Sequence, residues 1–255
     1  MAFRIFSEVI SGNLNIFTAL GLILITVPII LASLTVHEVM HGLVSYKLGD
    51  PTAMNYGRLT LNPIKHLDPF GTVCMLVFGF GWAKPVPINS GYYKNIRLGI
   101  TLTSLAGPLS NFTMAFVAVP IMLLIGSISG TIETESISVS IMAYPMFYGY
   151  LTEYTIPFAT KIACTAYIFF DFFVQMNIML GIFNMLPIPP LDGSRILLVF
   201  LPQKAYYFVI RFEMYIKIGL IILLYTGILS KPLSFLNEGI YEGFVGLWSL
   251  IPGLG

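Results

Sequence analysis

Three long stretches of the chain are apolar at every position of the helical turn, with no polar stripe to face water. Residues 9–36 carry no charged side chain, and neither do residues 98–132. A bilayer-spanning helix needs about 20 apolar residues, and residues 14–46, 96–125 and 159–185 meet that length. The third stretch runs into Pro187, Pro189 and Pro190, which cannot continue a helix. A shorter fourth span, residues 214–229, begins beside Glu213 and Lys217, which stand one helical turn apart. Residues 48–94 are rich in Gly, Pro and Asn, and their apolar piece, 71–82, is too short and too Gly-interrupted to cross. Short strands or a re-entrant loop are expected there. Polar and apolar residues alternate over 1–12, with no basic region before an apolar block, so an interfacial helix is expected and a cleavable signal peptide is not. The tail, 233–255, is Gly-rich and amphipathic and should lie along the surface. The pattern predicts an all-α multi-pass membrane protein. It has about four transmembrane helices, a short β or re-entrant element between the first two, and interfacial amphipathic helices at both ends.

Composition agrees with that pattern. The chain is 56% hydrophobic and 10% charged, against about 25% charged in a typical soluble protein, so its apolar residues must face lipid. A net charge of +1 with no basic run excludes nucleic acid as a partner. Cys74 and Cys164 lack the paired spacing of metal or redox cysteines and read as apolar fillers. No soluble domain of about 50 residues or more fits between or after the apolar segments, so residues 1–255 are expected to form one integral membrane domain. Lys47, Arg58, Lys65, Lys84, Lys94, Arg97, Arg195 and Lys204 gather on the connections at one side, whereas the other side holds only Arg4, Lys161 and Lys231. By the positive-inside rule the richer side, which includes the end of the first span, faces the cytoplasm.

The last turns of the first span contain His37-Glu38-Val39-Met40-His41. Positions i and i+4 share a helix face, so both imidazoles can reach one metal ion while Glu38 flanks the water bound to it. Ionisable groups within a membrane segment are functional by default. A hydrolytic zinc site takes three protein ligands and leaves a fourth position open, so a third ligand is needed. Asp192 is the leading candidate, because the prolines after Asn184 stop the third helix on the side where His37 emerges. Asp68 and Asp171 are rivals. Asp68 reads more simply as a turn former in a loop, and Asp171 lies about 20 Å along its helix from Met185, too far to reach. His66 reads as a loop histidine.

These motifs resemble those of the site-2 protease family of intramembrane zinc metalloproteases. The family's HExxH motif matches His37 to His41, and its NxxPxxxxDG-type motif matches Asn184, Pro187, Asp192 and Gly193. Ala106-Gly107-Pro108-Leu109-Ser110-Asn111 and the segments 62–69 and 80–87 are similar to further family elements, so the likeness covers about 31–198. It implies a minimal member without PDZ or cystathionine-synthase-type (CBS) domains. Such a protein is a zinc endopeptidase of the cell membrane that cuts transmembrane segments of other membrane proteins near the cytoplasmic side. The resemblance assigns one zinc ion to His37, His41 and Asp192, and makes Glu38 the general base. Asn111 and Asn184, amides near the same depth, are candidates for holding the substrate backbone or the oxyanion. Residues 71–89 are the candidate edge for an unwound substrate. The alternatives are a non-catalytic membrane protein of the same fold that binds substrates or metal, and a metal transporter.

Overall fold

The computed structural model describes residues 16–78, 81–129 and 157–254. The interfacial helix expected over 1–12 and most of the connection 127–158 lie outside the described residues. Helix α1 spans Ile16–Lys47, α2 Thr52–Asn55, α3 Pro69–Phe78, α4 Ile96–Ser129, α5 Phe158–Met185, α6 Asp192–Phe200, α7 Gln203–Tyr225 and α8 Ser230–Ser249. Helices α1, α4 and α5 are each long and apolar enough to cross a membrane, and α7 with α8, bent by 77°, adds a fourth if the pair is one span. Glu213 and Lys217 form the expected ion pair at 2.9 Å, on an exposed face of α7, where such pairs contribute little.

The bundle is organised around α4. It packs against α5 over most of its length, against α1 on another side, and against α6 at its beginning. The α4–α5 seam is built from small or compact residues, Ala115, Ala118 and Val119 against Val174 and Ile178, all buried. Small side chains let two backbones approach where lipid offers no hydrophobic drive for association. Gly181 lies against the Phe112 ring, so closely that a Cβ there would sit 2.8 Å from Phe112 Cζ.

Two expectations are revised here. Of the short strands or re-entrant loop expected for 71–82, the strands are not found: Pro69–Phe78 is helical, and among the described residues the sole extended pairing is an antiparallel bridge between Leu67 and Ala83. The reason is local, since Asp68 accepts the Gly71 N–H at 2.7 Å and Pro69 occupies the first helical position, which together start a helix. Gly71 serves close approach, because a Cβ there would collide with the Trp82 carbonyl. The tail is also more than a surface segment. Leu233 of α8 is buried in the main core, Trp248 donates to the Phe116 carbonyl at 3.0 Å, and Tyr241 donates to Asp171 at 2.6 Å.

After α1, Gly49 adopts φ +104, a left-handed conformation that ends a helix readily only at glycine. Asp50 then ties three segments together. It accepts the Ser45 hydroxyl at 2.8 Å, the Thr52 N–H at 3.0 Å, the Thr52 hydroxyl, and the Asn89 N–H at 2.7 Å. Tyr93 reinforces the joint, its hydroxyl lying 2.7 Å from Ser45 Oγ and 3.1 Å from Thr103 Oγ1. The end of α1, the loop 81–95 and the start of α4 are thereby held as one unit.

Candidate metal centre

His37 and His41 project from one face of α1, their rings edge to face with centroids 4.7 Å apart. Asp192 reaches them from the first turn of α6. That turn is possible because Gly193 packs directly on the carbonyls of Met185 and Leu186, where a Cβ would lie 2.7 Å from Leu186 O. Asp192 Oδ2 is 3.1 Å from His37 Nε2 and 3.2 Å from His41 Nε2, and the two Nε2 atoms are 3.0 Å apart. Among the described residues these three form the one His, Cys, Asp or Glu group able to hold a metal ion.

The outer nitrogens of the rings determine what the inner ones offer. His41 Nδ1 faces the Thr103 carbonyl at 2.7 Å, and a carbonyl can only accept, so Nδ1 carries the proton. His37 Nδ1 faces Asn111 Oδ1 at 2.6 Å. The Asn111 amide nitrogen donates to Asn177 Oδ1 at 2.9 Å, and the Asn177 nitrogen donates to the Phe173 carbonyl at 2.9 Å. That relay fixes the Asn111 amide with its oxygen towards His37, and His37 Nδ1 also carries the proton. Both Nε2 atoms therefore present lone pairs, as metal-bound histidines do when a carbonyl holds the far nitrogen. Three lone pairs at 3.0–3.2 Å repel one another unless a cation lies among them. Zinc bonds of about 2.0–2.1 Å give tetrahedral edges near 3.3 Å, so the donor set and its spacing fit that ion.

Glu38 lies on α1 between the two histidines, and one of its oxygens accepts the Val86 N–H at 2.9 Å. The loop that supplies Val86 is itself clamped. Lys84 N–H donates to the His66 carbonyl at 2.8 Å, and the Lys84 carbonyl accepts from Arg58 Nη2 at 2.6 Å.

Asn111 is fully buried and its amide is committed to His37 and Asn177. It stands behind His37, at the ring nitrogen on the side away from Asp192. Asn184, half-buried, donates to the Leu180 carbonyl at 3.0 Å, one turn back along α5, and among the described residues its amide oxygen has no such tie. Neither rival ligand joins the cluster, since Asp68 caps α3 and Asp171 accepts from Tyr241 and from Gln175. His66 is buried, not a loosely held loop residue, with Nε2 donating to the Thr60 carbonyl at 2.8 Å.

Gly107 was quoted in the sequence only as part of a motif, and its role is steric. A Cβ there would lie 2.6 Å from His37 Cε1 and closer still to His41 Nε2. Thr103 and Val86 act through backbone groups and leave no trace in residue identity. Asn177 had a faint signal: it is an amide in an apolar helix, seven residues before Asn184 and so on the same face.

The profile of "Peptidase family M50" matches residues 25–226. A Bacillus subtilis (strain 168) protein named "Putative zinc metalloprotease YwhC" is 39% identical over 211 residues, covering 82% of this chain and 84% of that protein. No solved structure matches the chain significantly.

Proposed function

Because the chain belongs to peptidase family M50, we propose that this metalloprotease cuts other membrane proteins in or near their transmembrane segments. His37, His41 and Asp192 hold one zinc ion and Glu38 is the general base. The observation that carries this reading is the convergence of three lone-pair donors beside Glu38 on a helix long and apolar enough to span a bilayer. His37 lies about 15 Å along α1 from Lys47, at the inner end of the charge-free run 9–36. Only a peptide that is itself within or against the membrane comes naturally to that depth.

When bound, the ion supplies Lewis acidity and a water acidic enough to react near neutral pH. The remaining work belongs to the chain. Glu38, steadied by the Val86 N–H, takes the proton of the attacking water and returns it to the leaving amine, a service worth about 10²–10⁴ in rate. Asn184, in the last turn of α5, orients the scissile peptide. The segment 81–89 is the surface along which an unwound substrate is laid. The basic residues on the connections next to the site, Lys47, Arg58, Lys65 and Lys84 among them, support a placement near the cytoplasmic face of the cell membrane.

Purified full-length chain, loaded with zinc, should cleave a single-span membrane protein, and Glu38→Gln should bind zinc normally while losing at least a hundredfold in rate. Equal cleavage by both proteins would contradict the hydrolytic reading.

A further inference from the structure

A cavity of about 430 Å³ opens between the first turns of α4, helix α6 and the start of α7. Arg97 and Arg195 both line it, accompanied by Ser90 and Gln203. No carboxylate is among its lining residues, and among the described residues neither arginine enters an ion pair. Two unneutralised guanidiniums sharing one cavity call for an anion, and the planar guanidinium fork matches phosphate oxygens in particular.

The rest of the wall is unlike that of a site for a small soluble anion. Ile96, Ile100, Leu198 and Val199 line the same space. Tyr206, at the start of α7, is also on the wall, and outside it Leu197 and Phe200 of α6 and Tyr207 of α7 stand exposed. Tyrosines in that position mark the level of lipid headgroups, and basic pockets between helices on the cytoplasmic side suit anionic headgroups. The cavity is distinct from the metal centre: Thr103 is on its wall, and it is the outer nitrogen of His41 that Thr103 holds.

We propose that this cavity binds an anionic phospholipid, with Arg97 and Arg195 gripping the phosphate and the first acyl carbons lying along Ile100, Leu198 and Val199. The binding rests on the membrane reading of the helices and not on the proteolytic one. Its consequence reaches the metal centre all the same. The lipid ties α4, which supplies the Thr103 carbonyl, to α6, which supplies Asp192, and so braces two elements that fix the donor geometry.

The test uses the full chain in neutral detergent, with native mass spectrometry counting bound phosphatidylglycerol against phosphatidylcholine. One phosphatidylglycerol should bind in preference. The double variant Arg97→Gln with Arg195→Gln should weaken it on the order of thirtyfold, about fivefold for each near-surface basic side chain. Val199→Phe, which fills the cavity without altering charge, should weaken it too, whereas Lys204→Gln, outside the lining, should not. Thermal melting of each variant shows that it is folded. Equal binding of phosphatidylcholine overturns the proposal, as does full retention by the double arginine variant or an equal loss with Lys204→Gln. Displacement by glycerol phosphate at the same concentration as the lipid also overturns it, because the ligand would then be a soluble phosphate ester.

Discussion

Gly107→Ala adds a single methyl group at the closest approach of α4 to the paired histidines. The new carbon would lie 2.6 Å from Cε1 of His37 and 2.6 Å from Cε1 of His41. Carbons in contact settle at about 3.5–4.0 Å, so each ring would have to withdraw by about 1 Å. Zinc sites tolerate only about 0.2 Å in ligand distance, so the pair could not keep both its outer hydrogen bonds and its inner spacing. Disturbing such supporting contacts typically costs about 10–100-fold in metal affinity, and a misplacement of about 1 Å costs about a hundredfold in rate. Helix propensity acts in the opposite direction, since Ala is favoured over Gly inside a helix by roughly 0.5–1 kcal/mol. A loss of metal would therefore not reflect a weaker helix. Gly219→Ala is the matched control, because a Cβ there meets nothing within 4 Å. Competition with a chromogenic chelator measures zinc affinity, and cleavage at saturating zinc measures rate. If Gly107→Ala binds zinc as tightly as the parent chain and cuts as fast, the packing of α4 on the histidines has been misread.

Two further outcomes follow from the contacts around the site. Asn111→Ala removes the acceptor at His37 Nδ1 and should lower zinc affinity about 10–100-fold with little change in substrate KM; a change in KM at unaltered zinc affinity would assign Asn111 to the substrate. Asp50 is pulled two ways, burial raising its pKa while hydrogen bonds from Thr52, Asn89 and Ser45 lower it, and the net shift is downward. Its carboxylate thus stabilises the fold above the unfolded value of about 3.9 and loses that contribution as pH falls through the lower folded value. Asp50→Asn should cost about 2 kcal/mol at neutral pH and flatten the decline of Tm below about pH 4; parallel Tm profiles for the two proteins would refute this.

The candidate ligands were legible in the sequence because their chemistry depends on side-chain identity. His37, Glu38 and His41 share one helix, so spacing alone sets them on one face, and the prolines ahead of Asp192 announce a chain reversal at the depth of His37. What surrounds the ligands was not legible. Thr103 contributes a carbonyl and Val86 an N–H, groups that every residue but proline possesses, so only the packing of α4 and of the loop 81–95 reveals them. The hydrogen bond from Asn111 to His37 was hidden for a related reason: an amide near a candidate metal site looks the same in sequence whether it faces a substrate or the back of a histidine. The glycines of 71–82 suggested a broken segment, yet the cap from Asp68 outweighs them, and Gly71 is needed for the contact with Trp82. The first three apolar helices emerged nearly at their observed ends, whereas the fourth stretch, expected over 214–229, belongs to the longer helix Gln203–Tyr225. The tail's packing did not emerge, since it depends on Asp171 accepting from Tyr241 and on Phe116 accepting from Trp248, partners remote in the chain.

Zinc K-edge X-ray absorption on the purified chain tests the central claim most directly, because it reads the donors around the ion without reference to any substrate. One zinc per chain is expected, with two imidazole nitrogens and carboxylate or water oxygens at about 2.0–2.2 Å, and with one oxygen scatterer lost and retention weakened in Asp192→Ala. A sulfur ligand, a single imidazole, or an unchanged spectrum in Asp192→Ala would contradict it.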